Sequence, residues 1–322
     1  MSVRSRRTLV YLVLLCGVIA PSVVPQRAAA QAAAQATAQP PAPGHYAEIN
    51  GARIYYEDEG SGHPLVLIHG WPMSARMWDE QVRVLKTHYR VIRYDRRGFG
   101  RSPGTPWNES SAEHDPADLE ALLQYLKISH IYVLGHSQGG SVATQFTLDH
   151  PDQVDALILH GAGLDGFVLP ETGPFAEHDS VRVLMRDRGM AEFRKQWLAH
   201  PINHVPDGKP EVAALIADIV GQYSGADVLQ STPAPRAPHT AAIYRLHEIR
   251  VPALVMVGGD DMPFFRITAD ALTFLIPGAH EAVVRGGGHL VNLIEPELYN
   301  AEVLRFLRAV DRASGAHGAS GE

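Results

Sequence analysis

The stretch YVLGHSQGGS, residues 132–141, decides how this chain is read. Tyr132 to Leu134 read as the end of a buried strand, and the residues after Gly139, through GSVATQFTLDH, read as a helix. Between the two, Gly135, Gly139 and Gly140 bracket a single hydroxyl, Ser137. A strand that turns at once into a helix must pass through a tight elbow whose tip residue has a strained backbone. Side chains two positions before and after that tip would collide with neighbouring chain, and glycine avoids the collision. Gly-x-Ser-x-Gly at such a junction lifts a serine hydroxyl clear of a sheet, over a helix N-terminus.

HEAVV (280–284) reads as a strand, and outward from the elbow the runs PLVLIHG (64–70), YRVIRYD (89–95), ALILH (156–160) and PALVMVGG (252–259) are short, apolar and rich in β-branched residues. Such runs suit strands buried on both faces of a parallel sheet. Helical stretches alternate with them, one from Ser74, read as its N-cap, to about Lys86, another over DPADLEALLQYLK. Near the start, two alternating runs joined by Asn50-Gly51 read as an antiparallel hairpin. The expected class is therefore α/β: a mostly parallel sheet covered on both sides, with an N-terminal hairpin. Between His160 and Val251 no strand pattern appears, while VRVLMRDRGMAEFRKQWLAH and PEVAALIADIVGQY are helical. The expected organisation is a core of 45–162 and 250–312, an inserted helical lid of 163–249, and a flexible tail of 313–322.

A serine hydroxyl needs a base to take its proton as it attacks. Of seventeen histidines, His289 stands out in VRGGGHLVNLIEPELY, on a glycine-rich loop after the last strand. The base needs a carboxylate to orient it. GGDDMP, at the end of the preceding strand, offers Asp260 and Asp261, and counting from Gly258 favours Asp261. Negative charge developing on the carbonyl oxygen needs donors already aimed at it. The backbone N–H groups of Gln138, after the nucleophile, and of Trp71, in HGWP (69–72), are the candidates, with His69 and Gly70 shaping the latter turn. His136, Trp71 and Phe264 are candidate substrate contacts. Phe167, Phe175, Met185 and Trp197 are further apolar candidates for the pocket, although their spacing also suits a lid core.

LVLIHGWP, VIRYDRRGFGRS, LGHSQGG, GGDDMP and GGGHLVNLIEPE together resemble successive signatures of the α/β-hydrolase superfamily, over about residues 46–310 outside the lid. YDRRGFGRS is similar to the branch of serine esterases and cofactor-free haloperoxidase-like perhydrolases. The resemblance implies Ser137 as nucleophile, His289 as base, Asp261 as acid, and Trp71 and Gln138 as oxyanion donors. HGWP also resembles epoxide hydrolases and dehalogenases, but those carry an aspartate where this chain has Ser137. The expected activity is hydrolysis of a carboxylic ester through an acyl-enzyme. Lactone hydrolysis, C–C bond hydrolysis and perhydrolysis use the same machinery, and a homologue that only binds ligand is the reading from another class.

Other motifs carry less. In GFGRSPG the third glycine of a dinucleotide loop would fall at Pro103. Arg96, Arg97 and Arg101 read as structural or solvated ion pairs, and AEHDPAD (112–118) as a helix start. No metal-ligand spacing or phosphate loop is present, so neither a metal nor a cofactor is expected. Arg4, Arg6 and Arg7 precede an uncharged run from Leu9 to Ala20, and Ala28-Ala29-Ala30 follows, the pattern of a signal peptide over 1–30. SRRTL also resembles a twin-arginine export signal. Residues 31–44 read as a low-complexity linker. Without residues 1–30, which hold four arginines and no acid, 24 basic residues face 35 acidic ones. An exported, acidic chain whose one cysteine, Cys16, lies in the leader suits neither disulfides nor nucleic acid as a partner. The mature chain is expected in the periplasm or outside the cell, with a small-molecule ester or lactone as partner and no membrane span.

Overall fold

Alternate residues of the central strands point to opposite faces of the sheet, and both sets are buried. Leu65, Leu67, Leu134, Ile158, Leu254 and Met256 lie on one side, and Val66, Ile68, Val133, Leu157, Leu159 and Val255 on the other. Burial on both faces is why these strands read as continuous apolar runs. The computed structural model describes residues 44–103, 111–167, 178–229 and 240–318. The expected leader, the linker up to residue 43, Phe175 and the end of the tail lie outside the described residues.

The strands are β1 (His45–Ile49), β2 (Ala52–Glu59), β3 (Pro64–Ile68), β4 (Arg90–Tyr94), β5 (Ile131–His136), β6 (Val154–His160), β7 (Ala253–Gly258) and β8 (His280–Val284). They form one sheet in the order β1-β2-β4-β3-β5-β6-β7-β8. β1 and β2 pair antiparallel, as do β2 and β4, and every other pair is parallel. Asn50 and Gly51 close the hairpin with φ of 46° and 70°, the positive values that a two-residue turn between twisted strands requires.

Helices α1 (Asp79–Leu85), α2 (Ser111–Leu126), α3 (Gln138–Asp149), α4 (His178–Leu198), α5 (Pro210–Gln222), α6 (Pro263–Leu275) and α7 (Pro296–Gly318) complete the chain, with one-turn segments between them. α2, α3 and α6 cover one face of the sheet, through residues such as Leu119, Phe146 and Leu272. α1 and α7 cover the other, through Leu85, Tyr299 and Leu307. Several details differ from the sequence reading. Ser74 is extended and caps nothing with its side chain. A 3₁₀ turn, Ala75–Trp78, comes first, and the Ala75 N–H donates 2.7 Å to Asp95 Oδ1 from β4's end, so a tertiary acceptor replaces the local cap. AEHDPAD lies inside α2, and α7 runs to Gly318, beyond the residue where composition places a tail.

The insertion after β6 is helical where described. α4, kinked at Gly189 (φ 81°), α5 and the one-turn helix Ala226–Leu229 pack Met185, Phe193, Trp197, Ile216, Val220 and Tyr223 onto Met73, Met77 and Trp78. Its rim is pinned by Arg76–Asp218 at 2.5 Å and Lys209–Glu295 at 2.6 Å. The apolar run 210–229 is not one rod, because Tyr223 is extended and Gly225 has a φ of 75°. Residues 240–249 behave as core: Ala242, Leu246 and Ile249 are buried on the face that α3 and α6 cover.

Candidate active site

Ser137 is the residue at which β5 ends and α3 begins, with φ 54° and ψ −120°. That is a costly conformation for a side-chain-bearing residue, and one kept where the surroundings over-determine it. Those surroundings are backbone. A Cβ on Gly135 would fall into the Gly139 carbonyl, and one on Gly139 into the Ile68 and His69 carbonyls, well inside contact distance. Gly140 lies equally close against Ala162. The three glycines let strand, elbow and helix close on each other. The Ser137 N–H donates to His160 O at 2.9 Å, and its carbonyl accepts from Gly140 and Gly163 at 2.9 and 3.0 Å.

His289 and Asp261 come to the same sheet edge from β8 and β7. His289 Nδ1 lies 3.1 Å from Asp261 Oδ2, both side chains buried. A carboxylate accepts, so Nδ1 carries the proton and Nε2 presents a lone pair; Nε2 has no partner among the described residues. Asp261 Oδ1 accepts from the Met262 N–H at 2.7 Å, and the Asp261 N–H donates to Gly258 O at 3.1 Å, which turns the side chain inward. Asp260 is exposed instead. Gly161, one residue past β6, lies against both groups: a Cβ there would be 3.0 Å from His289 Nδ1 and 3.3 Å from Asp261 Oδ2.

The HGWP turn lies directly against the elbow. A Cβ on Gly70 would be 2.6 Å from His136 Nδ1 and 2.9 Å from Ser137 Cβ. His69 shapes this turn: Nδ1–H donates to Gly70 O at 2.8 Å and Nε2 accepts from the Arg96 N–H at 3.0 Å. Among the described residues, the backbone N–H groups of Trp71 and Gln138 donate to no protein acceptor. Gln138 is held through its side chain, whose Oε1 accepts from Arg96 Nη2 at 2.7 Å. Arg96 is itself buried, bonded to Asp115 at 2.6 Å, and its guanidinium lies 4.5 Å over the Phe99 ring. Burial pushes the Asp115 carboxyl up, and Arg96 opposes that. Arg97 pairs with Asp118 at 2.7 Å, and Arg101 donates to the Tyr55 hydroxyl, so all three arginines serve the scaffold.

The three expected substrate contacts are placed differently from one another. His136 is buried beneath the elbow, and its Nε2–H donates to the His289 carbonyl at 3.0 Å. Burial first, and then the neighbouring His289 and His160, hold its pKa well below 6.5, so it is neutral. It supports the base loop rather than facing a ligand. The Trp71 indole points into the lid, donating to the Tyr223 hydroxyl at 2.8 Å and Asp227 Oδ2 at 3.0 Å. Phe264 is half-buried at the start of α6 and packs on Phe265 and Phe167. The ring against His289 is Phe265, at 3.8 Å, a neighbour that no sequence pattern singled out. Met185 and Trp197 are lid core, as their helical spacing allowed.

The family model for the α/β hydrolase fold matches residues 63–201. A thermophilic esterase of Thermogutta terrifontis superposes with a TM-score of 0.70 at 26% identity, covering 84% of this chain and 99% of its own. The chain has the α/β-hydrolase fold. Proteins similar to it in sequence include the non-heme haloperoxidase of Rhodococcus erythropolis, 29% identical over 270 residues, 81% of this chain and 97% of that one. RutD of Azorhizobium caulinodans, provisionally named a carbamate hydrolase, is 28% identical over 279 residues, 83% and 99% of the two chains. Fold and relatives together make the protein a hydrolase.

Proposed function

We propose that this α/β hydrolase cleaves carboxylic esters through an acyl-enzyme on Ser137. The observation that carries the reading is the His289 imidazole, whose Nδ1–H is committed to Asp261 at 3.1 Å while Nε2 has no partner among the described residues. Nε2 takes the Ser137 proton as Oγ attacks the ester carbonyl, and Asp261 stabilises the imidazolium. The oxyanion that forms is met by the Trp71 and Gln138 N–H groups, each worth about 3–4 kcal/mol in the transition state. His289 then returns the proton to the leaving alcohol, the carbonyl re-forms, and a water activated by the same Nε2 releases the acid. Two solved relatives fit this chemistry by name: the Thermogutta esterase, and Est816, described as an N-acyl homoserine lactone degrading enzyme, at 26% identity. A lactone is a cyclic ester, so the same steps open it.

Ser137→Ala is expected to lower kcat on p-nitrophenyl butyrate by about a thousandfold or more while the fold persists. Turnover near the wild-type rate would overturn the assignment. A series of p-nitrophenyl esters and simple lactones then sorts acyl length and ring preference. Export of the chain as a periplasmic or secreted protein is part of the same proposal, and rests on the Arg-rich, apolar, small-residue pattern of residues 1–30. N-terminal sequencing of the chain from fractionated cells tests it: an intact Met1 in the cytosolic fraction would contradict export.

A further inference from the structure

We infer that Tyr223 and Asp227, on the lid, are a positioning pair that clasps the Trp71 indole and so holds one of the two oxyanion donors in place. The inference rests on the acyl-transfer reading above. The turn beside Ser137 cannot be gripped at Gly70, where any side chain would press on His136 and Ser137 itself. His69 holds the turn on the side before Gly70; after it, the next side chain able to anchor the turn belongs to Trp71, and that side chain enters the lid. Its ring meets Trp197 at 4.8 Å, Phe193 at 5.6 Å and Tyr223 at 5.7 Å, all edge-on.

Packing alone would leave the indole free to tilt. Its Nε1–H is shared between the Tyr223 hydroxyl oxygen at 2.8 Å and Asp227 Oδ2 at 3.0 Å, and the Tyr223 hydroxyl donates to Asp227 Oδ1 at 2.5 Å. The three groups form a closed ring of hydrogen bonds with one carboxylate as its acceptor. A carboxylate is an expensive group to bury even in part if fastening the lid were its only purpose, since an apolar side chain packs as well. What the carboxylate adds is direction. Burial pushes the Asp227 carboxyl up, and the Tyr223 hydroxyl, the Arg96 charge and the Trp71 N–H draw it back. The other donor, Gln138, is held by the same Arg96 from below. Lid docking and assembly of the oxyanion site are thereby one event.

The test measures p-nitrophenyl acetate turnover and inhibition by an alkyl trifluoromethyl ketone, whose hemiketal oxygen occupies the oxyanion position, on the full chain. In Asp227→Leu, kcat is expected to fall about 10- to 100-fold, less than for outright loss of a donor, with KM changed by less than about threefold. The ketone Ki should weaken by the same factor as kcat/KM. Asp227→Asn, which keeps an acceptor, should recover most of the loss, and Tyr223→Phe should fall between. Unchanged kcat and Ki in both Asp227→Leu and Tyr223→Phe, whatever happens to the melting temperature, would overturn the inference. If Asp227→Leu does not fold, Tyr223→Phe, which removes one oxygen, decides alone. Failure of the acyl-transfer reading looks different: ester turnover would be equal in wild type and Ser137→Ala, and the clasp would fall with it.

Discussion

The ground beneath Ser137 and the cover above it are built on different physics. Beneath, Gly135 and Gly139 lie against backbone carbonyls and leave no room for a Cβ. Above, the lid meets Trp71 through interlocking rings and three polar groups, all side chains. A backbone contact cannot relax around an extra atom, whereas packed rings lose stability in proportion to the contact they give up. The elbow should therefore respond to substitution as an all-or-none element, and the lid by degrees.

Four substitutions test that contrast, in descending order of effect. Gly139→Ala drives a methyl into the Ile68 and His69 carbonyls and is expected to cost about 4 kcal/mol or more, seen as loss of the folded chain in a urea titration. Arg96→Leu strands the buried Asp115 and releases the Gln138 side chain; a loss of about 3–5 kcal/mol is expected by the same titration. Phe193→Leu, in the lid, is expected to cost about 1 kcal/mol in a thermal melt. A Phe193→Leu loss as large as that of Gly139→Ala would break the comparison.

The fourth effect is a slope with pH rather than a single loss, and it concerns acid. His160 lies buried beneath the elbow, and burial, then the adjacent His289, hold its pKa well below 6.5. As pH falls below about 6.5 the unfolded chain takes up this proton first, so acid destabilises the fold and higher pH restores it. His160→Phe should flatten the stability slope below pH 6.5 by up to about 1.4 kcal/mol per pH unit. An unchanged slope would mean that His160 is protonated in the folded chain.

The same contrast explains what could be read from the sequence. The eight strands, their mixed sheet and the elbow were legible because each is written in local terms: apolar runs, an Asn-Gly turn, a glycine two residues either side of a serine. His289 was legible as the histidine on the glycine-rich loop after β8. Asp260 and Asp261 differ in the direction each side chain takes, which the Asp261 N–H to Gly258 O turn sets. His136 adjoins Ser137 in the sequence, which suggests a ligand contact, but successive strand side chains alternate, and it points down to the His289 carbonyl. Ser74 has the residue type of a cap, but Asp95, twenty residues beyond Ala75, accepts from the Ala75 N–H instead. Tyr223 and Asp227 were invisible. A tyrosine closing one helical pattern and an aspartate four residues on, past a glycine, carry no local signal, and only the docked lid shows that both are turned toward Trp71.

Labelling with a fluorophosphonate, followed by peptide mass spectrometry, tests the central claim most directly, because it reports the nucleophile atom without any choice of ester. A single adduct on Ser137 is expected, absent from Ser137→Ala and formed far more slowly in His289→Asn. An adduct on another residue, or labelling of Ser137 that is indifferent to His289, would contradict it.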